Sequence, residues 1–305
     1  MTNKLNQCTV SIITPCYNAE KYIAETIQSV VKNTVFQDVN VRLEYIVCDG
    51  GSTDNTGAIV NDIFSQVNRE NINLAFFSEP DGGMYEALAK GLSRATGDVC
   101  AYINAGDFYS PTAFEIVLEI FRNPSVRWIT GLRVQYNERS YLVYAELPFK
   151  YRKGLCESGF YGKFFPFIQQ ESTFWLGTLT SQLDLTKLAQ FKYAGDYFIW
   201  NTFFNTEQLY IVEAWLGGFK SHQNQLSENM VGYYAEMDRI ARKPWLKDYC
   251  IAYIDKMIWD ASNRKKKLFN TDSMFTFDFK LQKYSLHVDR RLSKLLAMCC
   301  VWRIR

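Results

Sequence analysis

The stretch SEPDGGMYEALAKGLSRATGDVCAYINAGD, residues 78–107, decides the fold of this chain. Its middle has the apolar spacing of a helix, carried by Met84, Leu88, Leu92 and Ala95. A compact apolar run at 99–103 then predicts a buried strand, which delivers Asn104 and Asp107. Because ligands of open α/β sheets bind outside the carboxyl ends of the strands, we predict that this polar pair belongs to a site.

The residues before this stretch repeat the alternation of strand and helix. Apolar runs at 10–14 and 43–47 each end in polar residues, and a third run at 74–77 leads into the stretch above. Near-continuous apolar strands separated by helical segments are typical of a mainly parallel sheet covered on both faces. We therefore predict an α/β fold whose polar strand ends share one edge of the sheet, at 14–18, 49–54 and 104–107.

The second half departs from strict alternation. A strand is predicted at 128–130, and RVQYNERSYLVYAEL, residues 133–147, predicts a hairpin that turns at Asn137-Glu138. Residues 150–177 have no clear period and are interpreted as loops lining a cleft, whereas 210–215 predicts a late strand. From about residue 233 onward the pattern predicts helices.

Composition excludes several classes of protein. An apolar fraction of 48% and a charged fraction of 22% argue against disorder, and no apolar run approaches the roughly 20 residues that span a bilayer. The start of the chain lacks the apolar core of a signal peptide, so we predict a cytoplasmic protein. Eight cysteines without a C-x-x-C pair, with only two histidines, favour buried thiols over a disulfide framework or a zinc site.

Charge is distributed unevenly along the chain. Residues 239–305 hold 16 Lys/Arg against 6 Asp/Glu, so a basic segment follows an acidic body. This asymmetry indicates an anionic partner, and the lack of a recognised nucleic-acid module favours a membrane over nucleic acid. The sequence RRLSKLLAMCCVWRIR, residues 290–305, has the stripe of a basic membrane-surface helix, to which Lys265-Lys266-Lys267 adds charge. A helix that covers a core shows the same stripe, so both interpretations stay open.

Three ordered motifs carry a resemblance to a known family. VSIITPCYNAEKYIAETIQSV (10–30), YIVCDGGSTDNT (45–56) and the stretch 78–107 together resemble the glycosyltransferases of family 2, which have a GT-A fold. A weaker match continues through QQESTFW, AGDYFIW and GGFKSHQNQLS. The resemblance implies a GT-A domain over residues 1–232, and the residue pattern and charge beyond it predict a basic helical C-terminal extension over 233–305. Within the domain, a nucleotide-sugar half at about 1–110 would precede an acceptor half at about 111–232.

The same resemblance implies a reaction. Family members transfer a sugar from a nucleotide diphosphate sugar, usually UDP-linked, with inversion at the anomeric carbon. A hexosyl or N-acetylhexosaminyl group would pass to a hydroxyl of a glycan or of a lipid-linked acceptor, as in bacterial polysaccharide biosynthesis. Asp196 matches the general base that takes the proton of that hydroxyl. Mn²⁺ or Mg²⁺ would stabilise charge on the departing diphosphate.

The resemblance also assigns binding roles to the residues that match the positions of the family motifs. The nucleotide-binding set is Pro15, Tyr17, Asn18, Asp49, Asp81 and Asn104. Asp107 matches the last carboxylate of the metal motif, and His222 occupies a position that approaches the diphosphate or metal in some relatives. The segment before the acceptor cleft is Gln170, Glu171 and Ser172. The chain departs from the family at Gly106, where relatives often carry a second carboxylate, which leaves Asp107 as the sole acidic ligand of the motif.

Several of these residues also have a plainer interpretation. Asp54 either caps the next helix or binds ligand, Asp196 could cap the helix that follows it, and His222 could be a structural hydrogen-bonding group. Trp175 and Trp200 either stack on sugars or pack in the core.

Two alternatives are open for the whole chain: a nucleotide-sugar-binding protein without transfer activity, and a sugar nucleotidyltransferase. The first loop, TPCYNAEKY, lacks the glycine run that cradles a triphosphate in the second class. A dehydrogenase is disfavoured because no G-x-G-x-x-G follows the first strand.

Overall fold

The computed structural model of the protein describes residues 7–222 and 225–288. In these ranges the strands are β1 (Cys8–Cys16), β2 (Val41–Asp49), β3 (Ile72–Ser78), β4 (Val99–Tyr102), β5 (Phe108–Tyr109), β6 (Trp128–Thr130), β7 (Arg133–Tyr136), β8 (Leu142–Glu146), β9 (Thr173–Leu176), β10 (Leu209–Val212), β11 (Gly217–Lys220), β12 (Met274–Asp278) and β13 (Lys283–Leu286). The helices are α1 (Ile23–Val31), α2 (Thr56–Gln66), α3 (Met84–Leu92), α4 (Ala113–Phe121), α5 (Lys153–Glu157), α6 (Leu185–Leu188), α7 (Gly195–Phe203), α8 (Met230–Ile240), α9 (Leu246–Trp259) and α10 (Asn263–Phe269). The basic stripe predicted at 290–305 lies outside the described residues.

One large sheet forms the centre of the fold. Its nine strands have the order β13-β12-β10-β6-β9-β4-β1-β2-β3, and most neighbours run parallel. The antiparallel pairs are those of β9 with β4 and β6, and that of β12 with β13. A smaller four-stranded sheet has the order β5-β11-β7-β8, in which β7 and β8 form the predicted hairpin. The predicted α/β fold with a mainly parallel sheet flanked by helices is confirmed.

The pairing of β1 brings the predicted strand ends together. β1 runs parallel to β2, with Cys16 opposite Asp49, and β2 runs parallel to β3, with Asp49 opposite Ser78. On its other side β1 runs parallel to β4, with Ile13 opposite Tyr102. Because these four strands point the same way, the loops that follow them emerge at one edge of the sheet.

The loop prediction for 150–177 is wrong near its start and at its end. α5 lies within it, and β9 lies in the middle of the central sheet, antiparallel to both of its neighbours. β9 has four residues, and so short a run gives no periodic signal in the sequence.

Residues 233–288 contribute to the central fold. The predicted boundary at 232 falls inside α8, and α8, α9 and α10 agree with the predicted helices. The prediction of a helical extension is wrong for 274–286, where β12 and β13 pair and β12 joins the sheet beside β10. The alternation of apolar and polar residues in FTFD, within β12, is the period of a strand and marks this hairpin in the sequence.

The basic run Lys265-Lys266-Lys267 is mostly neutralised within the fold. Lys266 is 2% exposed, and its Nζ lies 2.7 Å from Glu146 Oε1. Lys267 forms an ion pair with Glu213, which leaves Lys265 as the exposed member of the run. Two of the three lysines therefore attach α10 to neighbouring strands instead of adding charge to a membrane-facing surface.

None of the helices in 7–222 and 225–288 is both long and apolar enough to cross a lipid bilayer. The prediction of buried thiols is confirmed for Cys8, Cys16, Cys48, Cys100 and Cys156, whereas Cys250 is exposed on α9. Cys299 and Cys300 lie outside the described residues.

Trp175 and Trp200 pack in the core. Trp175 is fully buried in β9, where its Nε1 donates a hydrogen bond to Thr180 Oγ1 at 2.9 Å. Its ring meets Trp200 edge-on, with ring centroids 6.1 Å apart, and Trp200 stacks on Trp128 at 5.8 Å. The packing interpretation is confirmed, and both rings are occupied by protein neighbours.

Trp175→Ala is expected to lower the free energy of unfolding by about 3–5 kcal/mol, because it leaves a cavity between β9 and α7. Chemical denaturation measures the loss. Trp215→Ala is the control, since this side chain is 38% exposed, and we expect it to cost less than about 1 kcal/mol. Equal losses in the two variants would contradict the assignment of Trp175 to the core.

Candidate active site

Asp49 is the last residue of β2, and its carboxylate lies at the edge of the sheet. It is 3% exposed, and its Oδ2 accepts hydrogen bonds from the Ser52 backbone N–H at 3.0 Å and from Ser78 Oγ at 2.6 Å. A small pocket opens beside it, lined among others by Asp81 and Arg94. The structure thus brings Asp49 and Asp81, both predicted to bind nucleotide, into one pocket.

The position of Asp81 depends on a glycine across the pocket. Asp81 Oδ1 accepts a hydrogen bond from the Gly83 N–H at 2.9 Å. A Cβ added at Gly50 would lie 3.0 Å from the same oxygen, so glycine is needed for Asp81 to approach the end of β2. Burial raises the pKa of Asp81 above its usual value. The loops after β2 and β3 therefore form one continuous wall of the pocket.

Asn18 ties the loop after β1 to the loop after β2. Its Oδ1 accepts a hydrogen bond from the Thr53 N–H at 2.9 Å, and its own N–H donates to Ser52 Oγ at 2.7 Å. Asn18 has φ +47°, a left-handed conformation that asparagine adopts more readily than most residues. Pro15 is buried within β1, whereas Tyr17 is 62% exposed. Of these three predicted nucleotide residues, Tyr17 is the one whose ring is open to solvent.

Asp54 caps α2. Its Oδ1 accepts a hydrogen bond from the Thr56 N–H at 3.0 Å, and its Oδ2 accepts one from the Glu20 N–H at 3.1 Å. Thr56 is the first residue of α2, so Oδ1 satisfies the first N–H of the helix from one residue before the N-cap, in line with the capping interpretation, while Oδ2 holds the loop after β1.

Asp107 and Glu171 form a buried carboxyl pair. They are 3% and 5% exposed, and a hydrogen bond joins their side chains. Asp107 Oδ1 also accepts the backbone N–H of Lys220 at 2.8 Å. Burial raises the pKa of both carboxyls, and two carboxyls in contact favour one shared proton over two negative charges. Glu171, predicted near the acceptor, instead packs against the predicted metal ligand.

Gln170 and Ser172 belong to the frame of the site. Gln170 Nε2 donates to the Tyr102 carbonyl oxygen, and its Oε1 accepts a hydrogen bond from Asn104 Nδ2 at 3.3 Å. Ser172 Oγ donates to the Leu132 carbonyl oxygen at 3.0 Å. Gln170 is 7% exposed and Ser172 is 0% exposed, so neither side chain is on an acceptor-facing surface. Gln170 therefore ties the start of β9 to the end of β4, and Ser172 ties it to the residues between β6 and β7.

The residues of the predicted metal motif do not fit a divalent-metal site. Asp107 has its carboxyl engaged by Glu171 and Lys220, and Gly106 has no side chain to offer. Within 7–222 and 225–288, no group of three or more His, Cys, Asp or Glu could hold a metal ion. Mg²⁺ and Mn²⁺ prefer carboxylate, carbonyl and water oxygens, so His222 does not replace the missing acid.

The backbone conformation at residue 106 favours glycine. It has φ +114°, a conformation that residues with a side chain rarely adopt. A Cβ built there would lie 3.5 Å from Nε2 of His222, whose ring stacks on Tyr22 with centroids 4.2 Å apart. The predicted second carboxylate is therefore missing at a position where this backbone favours glycine.

Asp196 lies in the first turn of α7, where hydrogen-bond donors converge on one of its oxygens. Its Oδ1 accepts from the Tyr197 N–H at 2.7 Å and from Tyr233 OH at 3.0 Å, and Tyr85 OH lies 3.4 Å away. Burial raises the pKa of Asp196 to about 6, and these hydrogen bonds limit the rise. Oδ2 receives none of them. A carboxylate with a pKa near neutrality and an oxygen outside this network suits a general base.

Asp196 lies close to the end of β4. Tyr102, the last residue of β4, has its pKa raised by burial and by the nearby Tyr85, Asp196 and Glu171. Tyr85 stands in the first turn of α3 and connects the loop after β3 with α7. Glycine is required at Gly195 because a Cβ there would collide with the Tyr85 ring. The base candidate, the carboxyl pair and the pocket therefore meet around one edge of the sheet.

α8 fixes the loop that precedes α7. Glu236 Oε1 accepts the N–H of Lys192 at 2.9 Å, and Oε2 accepts those of Tyr193 at 2.8 Å and Ala194 at 2.9 Å. The N–H groups at the start of a helix have no partner within it, so Glu236 acts as a cap supplied by another helix. Tyr233 lies on the same face of α8, three residues earlier. α8 thus supplies both the anchor of this loop and a hydrogen bond to the base candidate.

The sequence did not predict Tyr85, Tyr233 and Glu236 as site residues. All three lie in helices, where a tyrosine or glutamate is usually a packing or solvent residue. The sequence of α8, MVGYYAEMDRI, carries one signal, the adjacent pair Tyr233-Tyr234, but it does not show that the Tyr233 hydroxyl reaches the site.

A family model described as Glycosyl transferase family 2 matches residues 11–178, more than half of the 305-residue chain. Among curated proteins, chondroitin synthase of Pasteurella multocida (strain Pm70) is 33% identical over 112 residues, which cover 37% of this chain and 11% of that protein. Glycosyltransferase GlyG of Streptococcus pneumoniae serotype 4 is 28% identical over 129 residues, covering 42% of this chain and 40% of that protein. The chain therefore spans less than half the length of these relatives.

Solved structures of S. aureus TarS have a similar fold. TarS 1-349 in complex with UDP-GlcNAc matches with a TM-score of 0.57 at 16% identity, covering 86% of this chain and 70% of that one. TarS 1-349 in complex with UDP matches with a TM-score of 0.56 at 15% identity and the same coverage. These matches confirm the GT-A fold predicted from the sequence.

Tyr233→Phe is expected to raise the pKa of Asp196 above about 6, because the Tyr233 hydroxyl stabilises the ionised carboxylate. An NMR titration of the aspartate carboxyl carbons measures it. The matched control is Tyr234→Phe, which removes a neighbouring hydroxyl that donates to the Gly162 carbonyl oxygen at 2.8 Å and should leave this pKa unchanged. Equal effects of the two substitutions would contradict the described hydrogen bond.

Nucleotide-free protein is expected to show no saturable Mn²⁺ site, because the Asp107 carboxyl is engaged internally and residue 106 is glycine. Electron paramagnetic resonance titration of free Mn²⁺ measures binding. Asp107→Asn serves as the comparison and should behave like the unaltered protein. Saturable binding that is lost in Asp107→Asn would show that the carboxyl pair opens to hold metal.

Proposed function

Because the chain belongs to glycosyl transferase family 2, we propose that it transfers a sugar from a UDP-linked nucleotide sugar to a hydroxyl of a glycan or lipid-linked acceptor. Asp196 is the general base, and the anomeric carbon is inverted. A hexosyl or N-acetylhexosaminyl group is transferred, in bacterial polysaccharide synthesis on the cytoplasmic side of the membrane.

The observation that carries the proposal is the environment of Asp196. Its carboxylate combines burial, a pKa of about 6 and donors that meet a single oxygen, beside the sheet edge where the pocket lies. A capping aspartate has no need of two tyrosine hydroxyls or of a loop anchored from α8. The TarS complexes with UDP and UDP-GlcNAc support a uridine nucleotide as the donor.

The proposed reaction is a single displacement. The acceptor oxygen attacks the anomeric carbon, the bond from that carbon to the diphosphate oxygen breaks, and UDP leaves with the bonding electrons. Asp196 takes the proton of the attacking hydroxyl. Its ionised fraction increases as the pH rises through about 6, so the base is available at neutral pH. Tyr233 keeps the carboxylate oriented while the proton moves.

The donor nucleotide is proposed to bind at the sheet edge where the loops after β1, β2 and β3 emerge. Asp49 and Asp81 line the pocket there, and Asn18 joins the loop after β1 to the loop after β2. Tyr17 has the exposed ring that can cover a base or ribose. Mn²⁺ or Mg²⁺ stays a prediction from the family resemblance, and no step above depends on it.

Asp196→Asn is expected to lower the transfer rate by about 10²–10⁴-fold, because the amide cannot accept the hydroxyl proton. Nucleotide-sugar binding should be retained. Release of UDP from a panel of UDP-sugars, with and without glycan acceptors, measures transfer, and calorimetry measures binding. The matched control is Asp184→Asn, which alters an aspartate that caps α6 through the Lys187 N–H and should leave transfer unchanged.

Three results would contradict the proposal. Full transfer by Asp196→Asn would remove the base assignment. Release of pyrophosphate from a nucleoside triphosphate and a sugar phosphate would identify a nucleotidyltransferase. Tight binding of UDP-sugars with no transfer to any acceptor would identify a binding protein of the same fold.

A further inference from the structure

Helix α9 has its apolar residues outside and its acidic residues inside. Asp248 and Asp255 are 2% and 1% exposed, whereas Leu246 is 81%, Tyr253 is 65% and Met257 is 78% exposed. The three exposed residues recur at intervals of seven and four, so they lie on one face of the helix. A surface helix of a globular protein normally has the opposite arrangement.

The inward charges are paired, which fixes the helix in this orientation. Arg152 contacts both carboxylate oxygens of Asp255, at 2.5 and 2.9 Å, and Arg242 Nη1 lies 2.7 Å from Asp248 Oδ2. Rotating α9 to bury its apolar face would break both ion pairs and leave Arg152 without its carboxylate partner, while Arg242 would keep only Glu157. The exposure of the apolar face is therefore a stable property of the fold.

The apolar face is wide and ends in aromatic residues. Trp245 is 59%, Tyr249 is 47% and Ile254 is 62% exposed, on either side of the central stripe. Monomeric soluble proteins rarely expose contiguous apolar patches of this kind. Tryptophan and tyrosine favour positions with an apolar side and a wet side, as at the boundary between lipid tails and headgroups.

Cations flank this face. Lys247 and Lys256 are nine residues apart, which places them on opposite edges of the stripe. The Nζ of Lys247 lies 4.3 Å from the Trp245 ring centroid, and Lys243 is exposed nearby in the sequence. Lys256 pairs with Asp260 at 2.9 Å, whereas Lys243 and Lys247 at the start of the helix, and Arg264 and Lys265 just beyond its end, are exposed and form no ion pair within the described residues. The surface around the stripe is therefore positive.

We propose that α9 docks in the plane of an anionic membrane, with its apolar face among the lipid tails and its lysines at the headgroups. Charge distinguishes a membrane from the two other candidate occupants of this face, which are a second copy of the chain and the segment 289–305. A second copy would bring lysines against lysines, and the segment 289–305, with 5 Lys/Arg against 1 Asp, is also basic. The inference is independent of the proposed glycosyl transfer, and it assigns the contact to α9 instead of the C-terminal stripe.

The test is flotation of the full chain with vesicles of phosphatidylglycerol and phosphatidylcholine, against vesicles of phosphatidylcholine alone. The unaltered protein is expected to float with the anionic vesicles. Tyr253→Glu and Met257→Glu should each reduce vesicle partition about tenfold or more, because each places a charge where an apolar side chain enters lipid. Lys247→Glu should weaken binding to anionic vesicles with a smaller effect on neutral ones. Val39→Glu is the matched control, since Val39 is 77% exposed outside α9, and it should float like the unaltered protein.

Each variant is first compared with the unaltered protein by circular dichroism and thermal unfolding, and Leu246→Glu replaces any that fails to fold. Absence of flotation with anionic vesicles would overturn the proposal, as would undiminished flotation of the α9 variants. Flotation lost only when Arg290 and Arg291 are changed to Glu would move the contact to 289–305. A dimer seen by sedimentation and dissociated by Met257→Glu, without flotation, would identify a second copy as the occupant.

Discussion

The parallel pairing of β1 with β2 on one side and β4 on the other is the constraint on which the site depends. It sets Cys16 beside Asp49 and Ile13 beside Tyr102, so the three following loops leave the sheet together. Hydrogen bonds between loops, such as that from the Thr53 N–H to Asn18, act only because the strands have already brought the loops into contact. A shift of one residue in either register would turn the side chains to the other face of the sheet.

The acidic residues of the site belong to two physical classes. Asp49 and Asp107 are nearly fully buried and accept hydrogen bonds from the surrounding chain, so much of their role is to hold loops in place. Asp196 retains some exposure, and all its described donors meet one oxygen. The first class is strongly tied to the fold, whereas the second has the freedom that proton transfer requires. Gly106 belongs with the first class, because its φ of +114° is a backbone conformation that residues with a side chain rarely adopt.

The sequence predicted the first half of the fold well, because long buried strands such as β1 and β2 are continuous apolar runs. It failed at β9, where four residues are too few for a period, and at β12, where the short alternation FTFD lies among residues predicted as helices. Asp196 could be found from its motif, but its hydrogen-bond partners could not. Tyr85 and Tyr233 lie 111 and 37 residues from it, and only the folded chain joins them. The pairing of Glu171 with Asp107 was hidden for the same reason, since both look like solvent-facing acids.

The capping of the α7 loop by Glu236 has a consequence for the order in which the protein becomes functional during synthesis. The sheet strands that build the pocket are made first, and domains of this kind begin to fold as they leave the ribosome. The backbone N–H groups of residues 192–194 nevertheless have to wait for a carboxylate made some forty residues later. A nascent chain therefore lacks the anchor of the loop before Asp196 until α8 has emerged from the ribosome.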